Sequence, residues 1–176
     1  DDEEEIFFED QSIEEESAVN KAPSITHNKI NAGGKPAFEI SVVSIGQKRQ
    51  TETNKDTIYG IDEIKKIYIS YQGPRGRAAD IILGSKDGKF GMVNIKNEIL
   101  VPLEYDAIEE KGSRSCFILK KGDLVGMAHH KGKQILDPLY SKIKVKNFVP
   151  TYNVILGNFE GYADRDGHVY LPAEAF

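Results

Sequence analysis

Lys86-Asp87-Gly88-Lys89-Phe90-Gly91-Met92-Val93-Asn94-Ile95-Lys96-Asn97-Glu98-Ile99-Leu100-Val101-Pro102-Leu103-Glu104-Tyr105-Asp106-Ala107-Ile108 is the stretch whose outline returns twice more in the chain. It comes back as Lys121-Gly122-Asp123-Leu124-Val125-Gly126-Met127-Ala128, continuing to Ile143, and again as Glu160-Gly161-Tyr162-Ala163, continuing to Pro172. Gly91, Gly126 and Gly161 are thereby spaced 35 residues apart, twice over. A fixed period of that size marks a repeat protein built from one supersecondary unit. Pro102, Pro138 and Pro172 follow the three glycines by 11, 12 and 11 residues, which predicts one extra residue in the second copy at a turn or strand end.

Each recurring piece has a physical reading. The apolar runs Ile81-Ile82-Leu83, Cys116-Phe117-Ile118-Leu119 and Val154-Ile155-Leu156 are too short for a helix and suit buried strands. Lys86 to Lys89 and Lys121 to Asp123 read as hairpin turns, because glycine supplies the positive φ that tight turns need. A second strand runs through each repeat glycine, where the missing side chain implies a bulge or the close approach of another backbone. A second turn, at Asn94 to Asn97, His129 to Gly132 and Asp164 to Gly167, leads to a third strand that the proline is expected to end by withholding a ladder donor. The unit predicted is about three short strands. The fold class is all-β, an open array of stacked antiparallel hairpins, with small helical or irregular content at the N-terminus. A propeller needs four strands per blade over a longer period and is not expected.

The segment 86 to 108, with Gly-Lys-Phe-Gly followed by Pro-Leu-Glu-Tyr-Asp, resembles the bacterial WG repeat, whose units carry a Gly-Lys-Trp-Gly core and a Pro-x-x-Tyr-Asp segment. The likeness covers about 67 to 176. It departs at the tryptophan, replaced by Phe90, Val125 and Glu160 in a chain that has no Trp. The resemblance implies an interaction module.

Composition and charge divide the 176 residues unevenly. Residues 1–18 hold ten acids and no Lys or Arg, leaving 18 acidic against 23 basic residues in the rest. Such a block reads as a solvated tail, or as a tail anchored onto the body by Ile6, Phe7, Phe8 and Ile13. The domains expected are an acidic, partly disordered segment and linker over 1–36 and a β-repeat domain over 37–176. The latter divides into a vestigial repeat, 37–78, and clearer repeats 79–113, 114–148 and 149–176. Ala37 to Ile45 alternates as a strand and Gln47 to Asp56 is a polar loop, with further strands at Tyr59 to Ile64 and Ile67 to Tyr71. Ile61-Asp62-Glu63-Ile64 resembles Tyr105-Asp106-Ala107-Ile108, which points to an atypical first copy. A chain that opens on Asp1 is expected to be a fragment or processed product, and a removed signal or lipoprotein segment fits a periplasmic or cell-surface location. Cys116 is the one cysteine, so no internal disulfide forms, and its apolar run makes it inert core. No apolar run approaches the ~18 residues of a membrane span.

The chemical candidates are few. Arg75 and Arg77, in the loop Gln72 to Arg77, offer guanidinium groups to a carboxylate or phosphate. Tyr105, Tyr140, Tyr152, Tyr162 and Tyr170 either pack the core or line a face that stacks on sugars or peptide side chains. Asp164-Arg165-Asp166-Gly167 begins like a calcium loop but lacks the further ligands, and reads as a turn. His129 and His130, as neighbours on a strand, are expected to point to opposite faces and not to chelate together. No set of acid, base and nucleophile can be assembled, so a non-enzymatic scaffold for protein–protein interaction at a bacterial cell envelope is expected. The second reading is a glycan- or ligand-binding domain that uses the tyrosines and the arginine loop. No cofactor, no metal and no nucleic-acid partner are expected.

Overall fold

A computed structural model describes residues 24–45, 51–71, 77–111, 116–146 and 149–175. These residues form four antiparallel sheets, none of which closes. The first has β1 (Ser24–Ala32), β2 (Lys35–Ile45) and β3 (Thr51–Tyr59) in the order β1-β2-β3. The second is β4 (Glu63–Tyr71), β5 (Arg77–Lys86), β6 (Lys89–Val93) and β7 (Ile99–Tyr105), ordered β4-β5-β6-β7. The third is β8 (Ala107–Lys111), β9 (Cys116–Lys121), β10 (Leu124–His129) and β11 (Gln134–Tyr140), also in chain order. The fourth repeats this with β12 (Lys142–Lys144), β13 (Thr151–Leu156), β14 (Phe159–Asp164) and β15 (Val169–Tyr170), followed by one 3-10 turn at Ala173–Ala175.

The strand starts keep the sequence period. Strands β6, β10 and β14 begin at 89, 124 and 159, and β7, β11 and β15 at 99, 134 and 169, steps of 35 residues throughout. The unit nevertheless has four strands and not three. The expected strand at Ile67 to Tyr71 lies within β4, which opens the second sheet. The opening strands of the third and fourth sheets escaped the sequence reading because they are short and mostly polar: in Ala107–Lys111 only Ile108 is buried, and Lys142–Lys144 has no fully buried residue. Strand number is therefore no objection to a propeller-like blade. The extra residue expected in the second copy is also absent, since Tyr105 and Tyr140 end β7 and β11 in step. Pro138 simply stands one place later in its strand than Pro102 does.

Two further corrections concern strand ends. Pro102 and Pro138 lie inside β7 and β11, which run on to Tyr105 and Tyr140; only Pro172 follows its strand. Both of these strands sit at the edge of their sheets, where a residue without an amide donor is tolerated. The stretch before Pro36, read as linker, contains β1, and the polar loop expected to reach Asp56 is strand from Thr51. Strands β1 and β3 flank β2 as the edges of the first sheet, so their sequences carry little apolar alternation. The acidic tail and the N-terminal helical or irregular content fall outside the described residues.

The described residues divide into two compact units, one lying within 24–87 and 93–99, the other within 88–92 and 100–175. The first has its core in Phe38, Ile40, Val42, Ile58, Ile61, Tyr68, Ile81 and Ile82. In the second, Cys116, Ile118, Met127, Leu136 and Tyr140 of the third sheet pack with Tyr152, Val154 and Ala163 of the fourth. Cys116 is thus the buried thiol that its apolar run implied.

The repeat glycines explain how the strands fit. A Cβ on Gly91 would lie 2.6 Å from the Val101 carbonyl oxygen, and one on Gly126 or Gly161 would strike the carbonyl of Leu136 or Tyr170. At Gly126 the pairing of β10 with β11 also changes register, so close approach and a bulge coincide. Gly126→Ala is expected to cost about 2 kcal/mol in urea unfolding, because backbone atoms must move to admit the methyl. At Gly157, where φ is 59° and the added methyl meets nothing within 4 Å, alanine should cost about 1 kcal/mol from backbone strain alone.

Candidate functional site

Two polar joints recur through the second, third and fourth sheets. The first joint stands between one sheet and the next. The Asp62, Asp106 and Ser141 amides donate to the carbonyls of Ser85 (2.7 Å), Lys120 (2.8 Å) and Ile155 (2.9 Å). The side chains then cap the neighbouring hairpin. Asp62 Oδ2 accepts the Asp87 amide at 2.9 Å, and Asp106 Oδ2 accepts the Gly122 amide at 2.7 Å. Ser141 Oγ donates instead to the Ile155 carbonyl at 3.2 Å. Lys89 pairs with the other Asp106 oxygen. The likeness between Ile61-Asp62-Glu63-Ile64 and Tyr105-Asp106-Ala107-Ile108 has this joint as its cause.

The second joint is the turn that leads into the last strand of the second, third and fourth sheets. Asn94 Oδ1 accepts the Lys96 and Glu98 amides at 3.0 Å. Asp164 Oδ1 accepts those of Asp166 (2.9 Å) and His168 (3.0 Å), and His129 Nδ1 faces the Lys131 amide at 3.4 Å. Three places on stand Asn97, Gly132 and Gly167, all at positive φ. Asn97 tolerates φ of 62° and uses its amide, accepting from the Tyr59 N–H (2.9 Å) and donating to the Thr57 carbonyl (3.0 Å). Gly167 instead brings its backbone so close to the Ile135 carbonyl that no Cβ fits.

Asp164 to Gly167 is accordingly a turn, as its place in the repeat predicted. Asp164, Asp166 and His168 each offer one donor atom within 4.8 Å of the others, the one such group among the described residues. The Asp164 carboxylate already holds two amides and the His168 ring at 3.0 Å. His129 and His130 do not diverge as expected: His130 lies past the strand end, and the two rings meet at 3.8 Å between centroids.

The tyrosines separate into two sets. Tyr105, Tyr140 and Tyr152 are buried, and burial pushes each phenol above its usual value. Tyr105 Oη also accepts from Gln134 Nε2 at 2.9 Å. These three are core, so Tyr105 and Tyr140 present no ring face to a ligand. Tyr162 and Tyr170 are half exposed, pair in register across β14 and β15, and stack at 4.9 Å. Asn153 lies opposite Tyr162 on β13. Arg75 and most of its loop fall outside the described residues, and Arg77 is the first residue of β5. The sequence reading missed Asp62, Asp106 and Asn97, although the 35-residue step from Asp106 to Ser141 and from Asn97 to Gly132 was there to be read. The chain matches no family model, no curated protein and no solved structure.

The Gly122 amide, then Lys89, hold the Asp106 carboxyl below its ordinary value of 3.8. At Asp164 burial pushes upward, but the His168 and Asp166 amides and the His168 ring outweigh it and the net shift is downward. A carboxylate depressed in the folded state stabilises fully above its unfolded value, and that contribution disappears as pH falls through the folded value. Carboxyl NMR should therefore show Asp106 titrating below 3.8, and Asp106→Asn should flatten the loss of stability on acidification below that pH.

Proposed function

We propose that the protein is a non-enzymatic repeat scaffold, a degenerate relative of the WG repeat, that binds a protein partner at a bacterial cell envelope. Its sheets form an open array, and the outward face of the fourth sheet is the contact surface. One observation carries this reading. Tyr162 stands 35 residues after Met127, and Asn153 stands 35 after Ile118. Met127 and Ile118 are buried under side chains of the fourth sheet, whereas Tyr162 is 48% exposed. A position that a protein layer covers in the third sheet is open here among the described residues, and it carries an aromatic side chain of the kind that anchors interfaces.

The glycan reading keeps one supporting observation, the stacked Tyr162–Tyr170 pair with Asn153 in the same row. Rings and an amide on one face suit a sugar's C–H and hydroxyl groups equally well.

Affinity capture from a bacterial envelope fraction, repeated with the double variant Tyr162→Ser/Tyr170→Ser, tests the two together. The scaffold reading expects one specific protein to be retained by the wild type and its affinity to fall at least about tenfold in the variant, about 1.4 kcal/mol. Binding on a glycan array that disappears in the same variant, with no protein captured, would replace the first reading with the second.

A further inference from the structure

Of the three equivalent turns into β7, β11 and β15, one is closed by a group that changes charge near neutral pH. Asn94 caps its turn with an amide oxygen and Asp164 with a carboxylate, each accepting two backbone amides. At the same place in the third sheet stands His129, half-buried, with Nδ1 directed at the Lys131 amide. An imidazole nitrogen accepts a hydrogen bond only while it carries no proton. The turn is completed by the His129 amide donating to the Lys133 carbonyl (2.7 Å) and the Gly132 amide donating to the His129 carbonyl (2.8 Å).

We propose that the β10–β11 turn is a proton-sensitive latch, closed by neutral His129 and opened when that imidazole is protonated. Protonation replaces the Nδ1 lone pair by an N–H aimed at another N–H, so attraction becomes repulsion. The surroundings act in the same direction. His130, Lys131 and Lys133 of the same hairpin and Arg165 of the β14–β15 turn face the ring, and across the ladder on β9 the register partner is the buried Cys116. Burial, followed by these cationic neighbours, holds His129 below its ordinary value of 6.5. A base depressed in the folded state is charged more readily in the opened state, so the closed turn is favoured above 6.5 and loses ground as pH falls below it. The Asn94 turn has no such group. Asp164 keeps its charge into more acid solution, so acidification opens one turn of the three.

The test is NMR of the full chain between about pH 8 and pH 5, the range in which imidazoles change charge. Imidazole nitrogen shifts should show neutral His129 protonated at Nε2, with a titration midpoint below 6.5. Protection of the His129 and Gly132 amides should fall on acidification by up to about tenfold per unit of that depression, while amides of β13 and β14 hold constant. In His129→Asn, which supplies an acceptor that does not titrate, the fall should vanish and protection at pH 5 should exceed the wild type's. A neutral Nδ1–H tautomer, an unchanged pH profile in His129→Asn, or an equal loss of protection in β13 and β14 would each overturn the proposal.

Discussion

The approach of two backbones at Gly91, Gly126 and Gly161 is the constraint from which the sheets take their form. Any side chain there would overlap the carbonyl of Val101, Leu136 or Tyr170 on the next strand. Backbone yields far less readily than a side-chain tip, so the position admits glycine whatever surrounds it. The residue just before it is free to vary: Phe90, Val125 and Glu160 occupy that place in turn. The three positions thus share one geometry while the residue beside each glycine differs.

Hydrogen-bond capping shows the same separation of role from residue. A turn needs an acceptor for its inward amides. Asn94, His129 and Asp164 provide one with an amide, an imidazole and a carboxylate. At the joint between sheets Asp62 and Asp106 use carboxylates, and Ser141 a hydroxyl turned the other way. These exchanges leave the backbone path alike but give each copy its own response to pH. Asn97 and Gly167 likewise meet one requirement, positive φ, in two ways: one adds an amide that bonds to β3, the other removes the side chain and lets the backbone approach Ile135.

What could be read from the sequence was whatever depends on neighbours along the chain. The apolar runs at 81–83, 116–119 and 154–156, the Asp87-Gly88 turn and the glycine period all describe local conformation, and the strands and turns stand where these signals put them. Polar edge strands were not legible. Ser24–Ala32 and Thr51–Tyr59 owe their conformation to the ladder of β2 between them, and a strand with little buried surface shows little alternation. Proline misled for a related reason: Pro102 and Pro138 cost a ladder bond only if a strand lies on that side, which the sequence does not say. The candidate site was harder still. Five tyrosines in strand-like surroundings gave no sign that Tyr105, Tyr140 and Tyr152 would be buried while Tyr162 and Tyr170 would stay open.

By itself the sequence determined the β-strand character of the described residues, the 35-residue step between three glycines and the backbone approach that only glycine admits there, because patterning and backbone sterics act between near neighbours. Tertiary structure alone decided which face of each unit another layer covers, since burial belongs to a pair of sheets and not to either one. Met127 and Tyr162 hold equivalent places in two successive units. The first is buried because a neighbouring sheet lies over it, and the second is open because, among the described residues, none does.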